Sequence, residues 1–281
     1  MVFPNRDNSR FEQGEYAQFR QYLEKACGIL LGDNKNYLID SRLRKLMKDQ
    51  GIQSLAELVR EIDRPGARNL RQEVIDAMTT NETLWFRDRH PFVYLQETLL
   101  PELAKNPGDI SIWCAACSTG QEPYSISICV EEMRRRHFSL ANKPIKLLAT
   151  DISSRVLDQA RKGIYEPLAL KRGMSDERLN QHFVAAADGS WEIKPEIRRR
   201  IDFRPINLKE NFSTLGKFDV VFCRNVLIYF SSELQLQIIT NIHRVLKPGG
   251  YLFLGGSETP KGLNDLFEIQ YYSPGVVYVK K

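Results

Sequence analysis

The residues best able to do chemistry lie in Ile110 to Ser125, ISIWCAACSTGQEPYS. An apolar run that reads as a buried strand gives way to a tight loop of small residues, then to a helix opening at Pro123. Such a corner presents bare backbone N–H groups to a ligand. The loop carries one glycine, Gly120, and one acid, Glu122. It has neither the Lys of a phosphate loop nor the GxGxxG of a pyrophosphate site. A ligand cradled here is cationic, or at least phosphate-free, and S-adenosylmethionine (SAM) fits that description.

Other positions suit the same ligand. Asp151 ends the second expected strand, and in an open α/β sheet ligands sit beyond the carboxyl ends of the strands. A carboxylate there can take both hydroxyls of a ribose. The competing role, N-cap of the next helix, is one that Ser153 or Ser154 could fill. Glu122 either partners a ligand ammonium or complements its own helix dipole, and the residues alone leave both open. Asn207 and Leu208, an amide and an aliphatic side chain after the third strand, suit an adenine edge and face, although a loop cap explains them equally simply. Arg224-Asn225 interrupts the apolar run Val220–Phe230 and reads as a polar mouth above the sheet rather than a plain strand end.

These positions need a frame. Near-continuous apolar strands are expected at Ile110–Ala115, Ile145–Thr150, Ile201–Pro205, Phe218–Cys223 and Tyr251–Leu254, with amphipathic helices at Pro123–Phe138, Ser154–Lys162 and Ser232–Leu246. That alternation predicts an α/β doubly wound, mostly parallel sheet. Phe267–Tyr272 and Val276–Val279 read as a closing hairpin around Ser273-Pro274-Gly275. Between Phe183 and Ile201 the rhythm breaks, and Asp188-Gly189 with alternating Trp191 and Ile193 predicts a small antiparallel insertion at the sheet edge.

The first 88 or so residues read as helical. One face is Tyr16, Phe19, Leu23 and Cys27, stopped by Gly28; a second is Ile39, Leu43, Leu46 and Met47, ending near Gly51. Ser54 and Glu57 form a capping-box pattern before Leu55, Leu58, Val59 and Ile62, and a fourth helix spans about Asn69 to Met78. A polar segment, TTNETLWFRDR, leads to a helix with Pro91 in its first turn and Phe92, Leu95, Leu99 and Leu103 inward. The expected division is therefore a helical domain at 1–78, a linker at 79–90 that contributes to the cofactor site, and a cofactor domain at 91–281.

At 281 residues with 42% hydrophobic composition the chain is long enough for a sizeable core. A net charge of +5 is too weak to argue for nucleic acid, and an acidic protein surface suits it equally. The opening MVFPNRDNSRF has no apolar leader core, and no apolar run reaches the ~20 residues of a membrane span, so a cytoplasmic protein without membrane insertion is expected. Five cysteines suggest reduced, buried thiols. Cys114 and Cys117 form a lone CxxC with no second pair, and His90, His137, His182 and His243 show no ligand spacing, so no metal is expected.

The segments T-N-E-T-x-W-F-R, S-T-G-Q-E-P-Y-S, F-C-R-N-V-L-I-Y-F and L-K-P-G-G-Y-L-F-L-G occur in this order behind a helical front end. Together they resemble the chemotaxis receptor methyltransferase family, CheR, over nearly the whole chain. The resemblance implies a Rossmann-like SAM-dependent fold with an antiparallel last strand, an N-terminal helical domain and a small β-subdomain. It implies methyl transfer from SAM to glutamate side chains on the acidic cytoplasmic helical bundle of chemoreceptors, giving glutamyl methyl ester and S-adenosylhomocysteine. Matched by position, it implies cofactor contacts at Asn81, Thr83, Arg87, Glu122, Asp151, Asn207, Leu208, Arg224 and Asn225.

A glutamate carboxylate is already a nucleophile at neutral pH, so this transfer requires positioning and desolvation rather than a general base. Arg87 and Tyr229 are the candidates for holding it. The alternatives are a surface ion pair from Arg87 to Asp88 or Glu82, and a buried, satisfied aromatic at Tyr229. Arg42, Arg44, Lys45 and Lys48 lie opposite an apolar helix face and would steer an acidic substrate, Arg42 foremost, unless they form an ordinary solvated face. In relatives that bind a receptor's C-terminal pentapeptide, a Gly-containing β-subdomain loop does so; Ala185–Trp191 is about three residues short of it, which predicts action without that tether. Competing readings are an RNA or small-molecule methyltransferase, a SAM-binding regulatory module, and an NAD(P) oxidoreductase. The last is disfavoured by the 31-residue interval from Gly120 to Asp151 where ~20 is expected.

Overall fold

Four helices form where the apolar periodicity places them. The structure, a computed structural model, describes residues 10–281, so residues 1–9 of the segment read for a leader lie outside the described residues. Helix α1 (Gln13–Cys27) buries Tyr16, Phe19, Leu23 and Cys27 and stops at Gly28, whose φ of 78° is left-handed. Helix α2 (Asn36–Asp49) buries Ile39, Leu43 and Met47, four residues apart, and leaves Leu46 half-buried at the stripe's edge. Tyr16 joins the two by donating its hydroxyl to Asp40 at 2.6 Å. Helix α3 (Leu55–Asp63) is capped by Ser54, which accepts from the Glu57 N–H at 3.1 Å. The expected capping box is not closed at Ser54: the Glu57 carboxylate reaches one residue further and takes the Gln53 N–H at 2.8 Å. Helix α4 (Arg68–Met78) completes the group. The described residues up to Thr80, together with Tyr229–Ser231, form one unit, and Asn81–Ile228 with Ser232–Lys281 form a second.

The second unit is built on ten strands: β1 (Ile110–Ala115), β2 (Ile145–Asp151), β3 (Ile164–Tyr165), β4 (Phe183–Ala185), β5 (Trp191–Ile193), β6 (Ile201–Pro205), β7 (Phe218–Cys223), β8 (Leu246–Phe253), β9 (Phe267–Tyr272) and β10 (Gly275–Lys280). Seven of them form a sheet in the order β6-β2-β1-β7-β8-β10-β9. The first five in that order are parallel, and β10 runs antiparallel to both β8 and β9. The doubly wound sheet with an antiparallel last strand is thus present. Buried residues on both faces of β1 and β7 explain their unbroken apolar runs.

Some boundaries differ from the expectation, for local reasons. The helix at Pro91 has three parts, His90–Tyr94, a π-turn at Leu95–Leu99, and Leu100–Ala104. Pro101 lacks an N–H and crowds the carbonyl four residues back, and the Leu100 N–H reaches Leu95 O instead. The helix after β1 spans Gln121–Arg136 and begins two residues before Pro123. The last long helix ends at Val245, and β8 already begins at Leu246. Its pairing with β7 jumps from Phe218↔Leu246 to Val220↔Tyr251, so Lys247–Gly250 is taken up as a bulge inside the strand. The antiparallel insertion is a three-stranded sheet, β3-β5-β4, whose first strand was not expected. Two residues are too few to show alternation.

Candidate active site

In this sheet the strand order reverses at β1: the chain winds outward to β2 and β6 on one side and to β7 and β8 on the other. A ligand crevice belongs at the carboxyl ends of the strands on either side of such a switch point. The loops carrying Gly120, Asp151, Asn207 and Arg224 all leave from those ends.

The loop after β1 is held in an unusual shape. Ala116 and Ser118, neither a glycine, have left-handed φ of 59° and 51°. Each such residue costs about 1–3 kcal/mol, which its surroundings must offset. The fixing bonds run to β2: Cys117 N–H donates to Thr150 O at 2.8 Å, and Ser118 N–H to Asp151 Oδ2 at 2.8 Å. Gly120 (φ 98°) has no room for a side chain, since a Cβ would lie 2.9 Å from the Tyr165 hydroxyl. Asp151 also takes the Ser153 N–H on Oδ1 at 3.0 Å. Ser153 caps the following helix Ser154–Lys162, so the competing cap role for Asp151 falls away.

The segment TNETLWFRDR is anchored at several points. Asn81 O accepts from the Ser118 hydroxyl at 2.8 Å, and Thr83 is half-buried beside it in sequence. Trp85 is fully buried, with its ring 4.9 Å from Tyr165 and 5.4 Å from Phe183. A Cβ on Gly173 would collide with Trp85 O at 2.0 Å, so that glycine is obligatory. Phe86 N–H donates to Ser125 Oγ at 3.1 Å, and the Arg178 guanidinium lies 4.0 Å from the Phe86 ring centroid. Phe86, Asp88 and Arg89 all have left-handed φ.

Arg224 holds this turn to the helix after β1. Its side chain is 1% exposed; Nη1 donates to Glu122 Oε2 at 2.7 Å, and Nη2 donates to Asp88 Oδ2 at 2.5 Å and Arg87 O at 3.0 Å. The sequence places Arg224 at a polar mouth above the sheet; its side chain is buried there among two carboxylates and a carbonyl. Glu122 also accepts the Cys114 thiol at 3.2 Å, a thiol that burial and the neighbouring Glu122 push well above its usual range. Asp88 is committed to Arg224 and Glu82 to Arg172, so the anticipated partners of Arg87 are taken. Among the described residues Arg87 makes no ion pair, and its guanidinium reaches only Glu82 O at 3.5 Å.

Asn207 acts in its own loop, where Oδ1 accepts from Lys209 N–H at 3.1 Å and O accepts from Glu210 N–H at 2.9 Å, and Leu208 is buried. Asn225, after β7, has a left-handed φ of 60° and donates its N–H to Glu258 Oε2 at 2.7 Å. Glu258 escaped the sequence reading, because an acid in G-G-S-E resembles any polar turn.

Tyr229 belongs to the helical unit, half-buried, with its carbonyl accepting from Leu30 N–H at 2.8 Å. On α2, Arg44, Lys45 and Lys48 are exposed. Arg42 is not: it is half-buried and donates to Met78 O at 2.7 Å and to Thr80 Oγ1 at 2.9 Å. The carbonyls at the end of α4 attract it, as such termini attract any cation. It closes the end of that helix rather than presenting a free charge.

All five cysteines are free and buried. Among the described residues no His, Cys, Asp and Glu group could hold a metal, and no helix is long and apolar enough to cross a membrane. The donor set fits SAM: Glu122 and Asp151 are acids flanking a tight N–H-bearing loop, and Arg224 is neutralised by Glu122 and Asp88.

Two family models match the chain. The CheR methyltransferase SAM binding domain covers residues 81–275, and the CheR methyltransferase all-alpha domain covers residues 14–79. The chain is 51% identical over 269 residues to chemotaxis protein methyltransferase Cher2 of Pseudomonas putida, covering 95% of this chain and 98% of the relative. Identity to chemotaxis protein methyltransferase 1 of Pseudomonas aeruginosa is likewise 51%, with the same coverage. Chemotaxis protein methyltransferase 1 of Vibrio cholerae is 48% identical, covering 95% of this chain and 97% of the relative.

Proposed function

The chain belongs to the CheR family of SAM-dependent methyltransferases, and from that premise we propose that it methylates glutamate side chains on the cytoplasmic helices of chemoreceptors. The observation that carries the carboxylate specificity is the state of Arg87: its neighbouring acids are bound to Arg172 and Arg224, leaving its fork for an incoming carboxylate. When bound, SAM supplies an electrophilic methyl group on a sulfonium. Asp151 takes the ribose, Glu122 the ammonium, and Asn207 and Leu208 the adenine, with Asn81, Thr83 and Asn225 closing the site. Arg224 acts by orienting Glu122 and the turn that carries Arg87.

The acceptor carboxylate is ionised at neutral pH and needs no base. Arg87 orients it through its planar fork of N–H donors. The protein thus lowers the barrier by alignment and by excluding water. Arg44, Lys45 and Lys48 steer an acidic receptor helix.

The same reading has the enzyme work in the cytoplasm without a pentapeptide tether. In support, the loop after β4 is a closed turn, with Ala186 N–H donating to Ser190 O at 2.8 Å and Asp188 Oδ1 accepting both the Ser190 N–H and hydroxyl. The test is methyl transfer from labelled SAM to a receptor cytoplasmic fragment, with RNA as the competing acceptor. Transfer to RNA alone would overturn the proposal.

A further inference from the structure

One buried carboxylate at the mouth of the sheet is spent entirely on backbone. Glu258 is 5% exposed and follows β8. Its Oε2 accepts the N–H groups of Asn225 and Gly255, each at 2.7 Å, and its Oε1 accepts the Leu227 N–H at 2.8 Å. The donors come from two loops, one after β7 and one after β8, so a single side chain ties both together. Asn225 sits in left-handed backbone, which a non-glycine residue keeps only when its surroundings over-determine it. Gly255 completes the knot: a Cβ there would lie 2.6 Å from Asn225 Nδ2 and 2.7 Å from Glu258 Oε2.

We propose that Glu258 is a positioning residue, which fixes the Asn225 amide at the carboxyl end of β7 and so sets the affinity for SAM. The proposal rests on the reading of Asn225 as a cofactor contact. Only a carboxylate presents two acceptor atoms to donors on both sides. In Glu258→Gln the carbonyl can serve one side, and the amide NH2 then faces an N–H on the other. Whichever way that amide turns, the loop after β7 loses a bond that holds the left-handed residue in place, either at the Asn225 N–H itself or at the Leu227 N–H two residues on.

The test is a double-mutant cycle read by SAM binding calorimetry on the full chain, without receptor, so that it is independent of the acceptor assignment. Asn225→Ala and Glu258→Gln are each expected to weaken SAM binding about tenfold, the loss of one hydrogen bond. The double variant is expected to bind no more weakly than Asn225→Ala alone, because Glu258 acts through that amide. Asp219→Asn, at the amino end of β7 where the carboxylate takes Lys247 and the Ser111 N–H each at 2.7 Å, should lower the melting temperature and leave SAM affinity unchanged. Glu258→Asp, which keeps the charge but is shorter, should show a smaller loss with the same non-additivity. Multiplying losses in the double variant, or a Glu258→Gln protein that melts earlier yet binds SAM normally, would overturn the proposal. Unchanged binding in Asn225→Ala would overturn the cofactor role of Asn225 and this proposal with it.

Discussion

The Arg224 guanidinium donates to Glu122 at 2.7 Å from a side chain that is 1% exposed, joining the end of β7 to the helix that follows β1. Replacing Arg224 with Ala leaves Glu122 without its cation and releases Asp88 and Arg87 O. Breaking one side of a buried pair costs about 3–5 kcal/mol. Arg224→Ala is therefore expected to unfold at markedly lower denaturant and to lose SAM binding. Chemical denaturation with calorimetry on the folded fraction checks both, and wild-type stability would contradict the arrangement.

Arg42 and its neighbours on α2 should separate cleanly. Arg42→Ala strips hydrogen bonds from the end of α4 and is expected to cost roughly 1–3 kcal/mol of stability. Substituting Arg44, Lys45 and Lys48 together by Ala should leave stability within about 0.5 kcal/mol, as is usual at exposed sites. The triple variant should raise KM for receptor, most strongly at low salt, with SAM affinity unchanged. Equal receptor KM for triple variant and wild type would remove the steering role.

Glu132 gives the fold a predictable acid limit. Burial raises its pKa, but His182, Arg178 and Gln96 around it outweigh that and hold the carboxyl well below the usual carboxylate range. The Arg178 and Gln96 bonds, at 2.8 to 2.9 Å, do most of this, since His182 Nε2 is 3.5 Å away. A depressed folded pKa adds stability above the unfolded value near 4.3 and loses it as pH falls toward the folded one. Denaturant midpoints should therefore fall below about pH 4.3, and those of Glu132→Gln should fall less. Parallel curves would contradict this.

The tether prediction is read kinetically. Receptor fragments with and without an added C-terminal pentapeptide should show the same KM. A clear drop in KM on adding it would mean that the tight turn after β4 binds peptide after all.

Much of this was legible in the residues. The strands Ile110–Ala115, Ile201–Pro205 and Phe218–Cys223 were readable to the residue, because burial on both faces or a flanking turn marks each sharply. The bulge in β8 was not, since Pro248, Gly249 and Gly250 argue for a break and only pairing with β7 keeps the strand going. The place of Asp151 at the end of β2 and of Glu122 in the opening turn of the helix after β1 was legible from the strand and helix pattern. Burial of Arg224 and the structural role of Arg42 were hidden, because a sequence shows a cation but not the carbonyls and carboxylates that surround it. Glu258 and Gly173 were hidden too, their partners lying in other loops.

The central claim is carboxyl methylation, and base lability of the product tests it most directly. Label transferred from methyl-labelled SAM to a purified receptor cytoplasmic fragment should be released as methanol by mild base, as an ester requires. It should also disappear when the acceptor glutamates are replaced by Ala. Label that survives base treatment, or that persists without those glutamates, would contradict the account.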